Sequence, residues 1–149
     1  VVILIYVLVS YSVGYKTGSI SPYEYQLDLA NVLGTLGFQL LLSGTSEEIL
    51  FRALPITVLI SLNDKENKMN CLFEIVIASL LFSVAHISWT IFPFALSFSW
   101  FQLIYAFILG IAYGITYVKS KNVIYPMIMH GLSNFFMIGI GYIFMVTMK

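Results

Sequence analysis

Ionisable side chains interrupt the apolar stretches of this sequence at a few positions, and chemistry could occur there. Five of them are informative: Glu47, Glu48, Arg52, His86 and His130. Glu74 also lies in an apolar stretch, but at the start of a predicted helix, where the helix dipole favours a carboxylate. An ionisable side chain inside a membrane span costs roughly 2.5 to 3.5 kcal/mol on insertion scales, so such residues are functional candidates by default. Arg52 is the sole arginine of the chain.

Spacing separates the two acids. Glu48 and Arg52 are four residues apart, so on a helix they share a face and can form an ion pair that lowers the cost of burying both. Glu47 is rotated about 100° from Glu48 and points to another face. A carboxylate directed away from that pair can serve as a general base. The alternative is that both acids are ion-paired structural residues.

The histidines leave two interpretations open. His86 follows Phe82 by one helical turn and could be either a hydrogen-bonded packing residue or a catalyst. His130 and Asn134 are again four residues apart, so an imidazole and an amide project together. Such a pair could stabilise a developing oxyanion or could form a polar clamp between helices.

Composition defines the class of protein. Of 149 residues, 60% are hydrophobic and 9% are charged, whereas soluble domains carry about 25% charge. Seven basic and seven acidic residues cancel, so the chain lacks the basic excess of a nucleic-acid-binding protein. The single cysteine, Cys71, excludes an intramolecular disulfide. We therefore expect an integral, multi-pass membrane protein.

Apolar blocks predict an all-α bundle of about five transmembrane helices. The blocks cover residues 1–13, 27–62, 72–89, 100–118 and 123–148, and the segment NDKENKMN at 63–70 is the clearest loop. The first residue already lies within an apolar run, so we expect the first span to be truncated. We find no linker or repeat and predict one domain over residues 1–149, with its core at about 33–134.

Glycines mark possible close approaches between helices. Gly34, Gly37 and Gly44 lie in the long second block, where they could also allow bending. Gly110 and Gly114 have small-xxx-small spacing and could serve packing within the bundle or dimerisation, so the oligomeric state stays open.

Depth along the helices gives an independent check on the candidate residues. Counting 1.5 Å per residue from the 63–70 loop, Glu47 lies about 22 Å along its helix and His86 about 20 Å along the next. These two residues can therefore meet at one level. His130 and Asn134 lie about 11 Å and 17 Å from the polar turn at 119–122, so tilt or a shifted boundary must bring them level.

Three motifs resemble those of the CAAX protease and bacteriocin-processing family of intramembrane proteases, also called the Abi family. That family carries Glu-Glu-x-x-x-Arg, Phe-x-x-x-His and His-x-x-x-Asn on separate membrane helices. This sequence has EEILFR at 47–52, FSVAH at 82–86 and HGLSN at 130–134. The resemblance covers residues 33–134, and Ala53 departs from the glycine that many members carry.

The resemblance implies an endopeptidase that uses water rather than a covalent intermediate. Glu47 and His86 would activate the water, Arg52 would hold Glu48, and His130 with Asn134 would stabilise the oxyanion. No cofactor is expected, although Glu47, His86 and His130 could instead bind zinc. The partners would be the lipid bilayer and a peptide or membrane-protein substrate, with no nucleic acid.

Three functional hypotheses follow from these observations. The first is an intramembrane protease of a bacterial cell membrane, acting in peptide or bacteriocin maturation or in self-immunity. The second is a non-proteolytic immunity factor or scaffold of the same fold. The third, a transporter with a carboxylate proton relay, is weaker because the chain offers too few helices for alternating halves.

Overall fold

Helices form nearly all of the regular structure. The computed structural model describes residues 1–20, 26–62 and 71–147, so the predicted 63–70 loop lies outside the described residues. The all-α prediction is confirmed, with one short β-hairpin added. The elements are α1 (Val2–Lys16), α2 (Leu29–Phe38), π1 (Gln39–Ser43), α3 (Gly44–Glu48), π2 (Ile49–Ala53), α4 (Leu54–Leu62), α5 (Leu72–Val84), β1 (Ser88–Thr90), β2 (Ala95–Ser97), α6 (Trp100–Ser120) and α7 (Ile124–Thr147).

The second apolar block is helical throughout residues 29–62, but it contains two π-helical turns. Asp28 caps its start by accepting a hydrogen bond from the Asn31 amide at 2.9 Å. Pro55 explains the second wide turn, because proline has no amide donor and its ring clashes with the carbonyl four residues before it. That carbonyl belongs to Phe51 within π2, and the Leu54 amide bonds five residues back to Ile49.

The chain divides into two compact units. The first comprises Val1–Ser46 and Met127–Lys149. In it α1 packs on α7 around Val7, Tyr11 and Ile140. Of the three glycines in the second block, Gly44 makes a close approach, since a Cβ there would lie 3.1 Å from the His130 Cβ. Gly34 and Gly37 face open space.

The second unit is Glu47–Pro126. Its core is formed by Ile56 of α4 with Ile75 and Ala78 of α5. The glycine pair of α6 packs directly on α5: a Cβ at Gly110 would lie 2.9 Å from the Ser79 Cβ, and one at Gly114 would lie 2.8 Å from an Ile75 methyl. Both glycines therefore serve packing within the bundle.

Within the part of the chain that the structure describes, two helices are long and apolar enough to cross a membrane. These are α6, with 21 residues, and α7, with 24 residues. Less than a third of the most apolar window of α6, and one third of that of α7, is buried inside the protein. Their exposed sides are thus apolar, as contact with lipid requires. The number of five spans stays a prediction.

The helix of the third apolar block ends earlier than the sequence predicts. We expected a helix through Trp89 that would carry His86, but α5 ends at Val84. The amides of His86 and Ile87 bond three residues back, to Ser83 and Val84, which tightens and ends the helix. Apolar composition continues across this boundary, so it gives no signal of the end. His86 lies in the turn between α5 and the hairpin.

We expect Gly110→Ala to destabilise the protein by about 1 to 3 kcal/mol, because the added methyl group overpacks a contact with backbone-proximal atoms of Ser79. Gly139→Ala in α7 is the matched control, since a Cβ there meets nothing within 4 Å. Thermal unfolding in detergent micelles checks the difference. Equal melting temperatures for both variants would contradict the close packing of α5 and α6.

Candidate active site

A buried ion pair lies at the centre of the second unit. The Arg52 Nε atom is 3.3 Å from a Glu48 carboxylate oxygen, and both side chains are fully buried. This confirms the ion pair predicted from their spacing. Two charges away from water are tolerated when they compensate each other, and removing one leaves the other as a buried charge.

Aromatic rings enclose the arginine. Its guanidinium carbon lies 3.9 Å from the ring centre of Phe82 and 5.4 Å from that of Tyr113. Both distances are within the range of cation–π attraction, which contributes roughly 0.5 to 2 kcal/mol. Phe51 contacts the same Phe82 ring edge-on, with ring centres 5.6 Å apart. The phenylalanine of the second motif therefore contacts the arginine of the first.

His86 makes two contacts with Phe82, one between the rings and one hydrogen bond. Its imidazole meets the phenyl ring edge-on at a centroid distance of 4.7 Å, and its Nδ1 atom is 2.8 Å from the Phe82 carbonyl oxygen. Because a carbonyl oxygen can only accept, Nδ1 must be the donor. In the neutral ring Nε2 then carries the lone pair. A half-buried imidazole with this tautomer can accept a proton or a hydrogen bond from water.

Glu47 differs from its neighbour in exposure. Its side chain is half-buried, whereas Glu48 has no exposed surface. The sequence prediction that the two acids have different environments is therefore confirmed. Glu47 is the acid that a water molecule or a substrate could reach.

The third motif lies in the first unit, where Asn134 is held by a serine. The Asn134 side-chain amide donates to the Ser43 hydroxyl at 3.0 Å, and that hydroxyl donates to the Gln39 carbonyl at 2.8 Å. An amide nitrogen has two donor hydrogens, so one remains available for another acceptor. Ser43 thus fixes the direction of the Asn134 side chain.

His130 lies at a close crossing of two helices. Its side chain is buried, and Gly44 packs against its Cβ atom. A Cβ at Gly131 would overlap the Leu40 carbonyl oxygen, so glycine is required for the helices to come this near. The two glycines therefore position both His130 and Asn134.

Sequence reasoning missed two residues that contact candidate residues, one in each unit. Ser43 precedes Glu47 by four residues, a helical spacing that could have indicated a shared face. Tyr113 gave no signal, because its contact with Arg52 depends on how α6 packs. Among residues 1–20, 26–62 and 71–147, no three His, Cys, Asp or Glu side chains form a group suited to a metal.

The sequence matches one protein family. The family described as type II CAAX prenyl endopeptidase Rce1-like matches residues 29–136, which is well over half of the chain and includes all three motifs. No curated protein and no solved structure shows significant similarity to it. The chain belongs to this family of CAAX-type membrane endopeptidases.

The different burial of the two acids gives a stability prediction. Glu48→Gln removes one charge of a fully buried pair and should lower the free energy of unfolding by about 3 to 5 kcal/mol. Glu47→Gln should change it by less than about 1 kcal/mol, because its side chain is half-buried and lies outside the close ion pair. Thermal unfolding in detergent compares the two. A larger loss for Glu47→Gln would contradict the assignment of roles.

Proposed function

We propose that this protein is an intramembrane endopeptidase that hydrolyses a peptide bond in a membrane-associated protein or peptide, using water activated by Glu47 and His86. The observation that carries the proposal is that Glu47 and His86 are both partly accessible and both lie next to residues of the buried Glu48–Arg52 site. Glu47 directly precedes Glu48 in α3, and His86 contacts Phe82, whose ring lies against the Arg52 guanidinium. Both proposed catalytic side chains are partly accessible, whereas the arginine is buried.

The proposed reaction begins with water bound between a carboxylate and an imidazole. The His86 Nε2 atom accepts one hydrogen bond from the water, and the Glu47 carboxylate removes the other proton as the oxygen attacks the carbonyl carbon. The carbonyl oxygen becomes an oxyanion. Glu47 then passes its proton to the leaving nitrogen when the C–N bond breaks, so no covalent enzyme intermediate is formed.

The proposed oxyanion donors are His130 and Asn134. The Asn134 amide is oriented by Ser43, so its second N–H has a fixed direction and need not be reorganised when charge develops. The Gly44 and Gly131 contacts hold the backbone that carries both residues. These features support an oxyanion role, and the kinetics of Asn134 and Ser43 variants distinguish it from a polar clamp between helices.

The proposed substrate is a peptide segment attached to or lying in the membrane. The description of the matched family names CAAX prenyl endopeptidases, so prenylated peptides are one class to test. Maturation of a secreted peptide, or self-immunity against one, is the setting that we propose for a bacterial member. The alternative, zinc held by Glu47, His86 and His130, is tested with a chelator.

Cleavage by the purified protein tests the proposal directly. In a peptide library that includes prenylated and unmodified CAAX ends, we expect Glu47→Gln and His86→Ala each to lower the cleavage rate by about 10² to 10⁴-fold, the usual contribution of general acid–base catalysis. Both variants should remain folded. A strong chelator should leave the wild-type rate unchanged.

Three results would count against this proposal. Loss of cleavage with chelator and recovery with zinc would make Glu47, His86 and His130 metal ligands. Full activity of Glu47→Gln would remove the proposed base. A folded wild-type protein that cleaves no library member would favour the non-proteolytic immunity or scaffold hypothesis.

The contact between Ser43 and Asn134 gives a graded prediction. Asn134→Ala should lower kcat by about 10² to 10³-fold, because an oxyanion donor is lost. Ser43→Ala keeps the amide but releases its orientation, so we expect a loss of about tenfold in kcat with KM unchanged. Ser79→Ala is the control, since this buried hydroxyl donates within its own helix. A change in KM alone would contradict the positioning role.

A further inference from the structure

The hairpin that follows His86 has two chemically different faces. Its strands pair antiparallel with Trp89 opposite Leu96, and Ser88 opposite Ser97. Successive side chains of a strand point to opposite faces, so Trp89 and Leu96 share an apolar face while the serines share a hydroxyl-bearing one. All six strand residues are exposed. The hairpin is thus an amphipathic element that the described protein does not cover.

Large apolar side chains continue around the turn. Phe92 is 94% exposed, and six further residues between Trp89 and Trp100 are at least 47% exposed. These are Trp89, Ile91, Phe94, Leu96, Phe98 and Trp100. Soluble proteins rarely expose a continuous apolar surface of this extent to water.

The surrounding sequence lacks the residues that normally protect an exposed hairpin in water. Proteins place lysine or other charges on exposed strand edges to prevent aggregation. Here no Asp, Glu, Lys or Arg occurs anywhere in residues 75–118, which contain both strands and most of the two flanking helices. Water is therefore a poor environment for this surface.

The length of α6 places the hairpin near a membrane boundary. From Trp100 to Lys119 the helix rises about 29 Å, which matches the hydrocarbon thickness of a bilayer. The neighbouring α5 has 13 residues and rises about 20 Å, and the Ser83 hydroxyl donates to the Leu103 carbonyl near the start of α6. The hairpin follows α5 at this end, so it lies close to the level of Trp100.

The hydrocarbon interior is also unsuitable for the hairpin. A two-stranded sheet leaves unpaired backbone groups on both outer edges, and lipid offers them no hydrogen-bond partner. The hairpin needs hydrogen-bond partners for its edge backbone groups and an apolar environment for its large side chains. The membrane interface offers both, because headgroups and water bond the backbone while the upper acyl chains contact the apolar side chains. Tryptophan is enriched at this depth for the same reason.

We propose that the hairpin formed by β1 and β2 is a membrane-interface anchor. Trp89, Leu96 and the turn residue Phe92 contact the upper acyl chains, and the serine face meets the lipid headgroups. The apolar surface of the hairpin continues into the exposed side of α6, where Trp100 and Ile104 are also exposed. One consequence is that His86, two residues before β1, lies near this interface.

The depth of the two tryptophans tests the proposal without reference to protease activity. Trp89 and Trp100 are the only tryptophans of the chain, so Trp100→Phe and Trp89→Phe each leave one fluorescent reporter. The full chain is reconstituted in phosphatidylcholine vesicles brominated either near the glycerol end or near the terminal methyl of the acyl chain. We expect the shallow bromines to quench each reporter at least about twofold more strongly than the deep bromines do.

Three outcomes would overturn the anchor. Stronger quenching by the deep bromines would place the hairpin in the hydrocarbon interior. Quenching of Trp89 by aqueous iodide without quenching by either lipid would place it in water. Protection from lipid and iodide together would show that protein covers it, either a second copy or another polypeptide.

A substitution at the turn separates lipid contact from folding. Phe92→Asp in the Trp100→Phe background removes an apolar side chain that is almost fully exposed, so it should cost little packing within the protein. We expect shallow-bromine quenching of Trp89 to fall by about twofold or more, because a charge is expelled from acyl chains. Phe92→Leu keeps the side chain apolar and should retain the quenching. Equal behaviour of the two variants would contradict insertion of the turn.

Discussion

The Glu48–Arg52 ion pair is the constraint on which the rest of the second unit depends. A guanidinium and a carboxylate with no exposed surface are stable in an apolar bundle only while each compensates the other. The arginine is further enclosed by Phe82 and Tyr113, so helices α5 and α6 must pack where those rings meet it. His86 takes its position from Phe82 in turn. A single buried charge thereby determines where a partly accessible imidazole lies.

Glu47 and Glu48 are the same residue type but differ in exposure. Glu48 is buried and neutralises Arg52, so it contributes to stability. Glu47 is next to it in sequence but half-buried, so water can reach it, as the proposed mechanism requires. Helix geometry alone produces this difference in exposure, because consecutive side chains point about 100° apart around the helix axis.

In the first unit, close contact between helices fixes the position of the Asn134 side chain. Gly44 and Gly131 have no side chain, and the backbones can therefore approach until Ser43 reaches Asn134. The serine lies in a π-helical turn, a feature that is frequent at functional sites. The second π-turn precedes Pro55 and contains Arg52, so helix irregularity accompanies the site residues on both sides of Glu47 and Glu48.

The sequence by itself determined the all-α class, the family and the Glu48–Arg52 pair, because hydropathy and helical spacing are local properties of the chain. It also indicated that Glu47 and Glu48 face different environments. It left the use of Gly110 and Gly114 open, extended the third helix past its end at Val84, and gave no sign of the hairpin or of Ser43. Tertiary structure decided these points. Neighbouring helices select which glycines make contact, and hydrogen bonding, which apolar composition does not encode, determines where a helix stops.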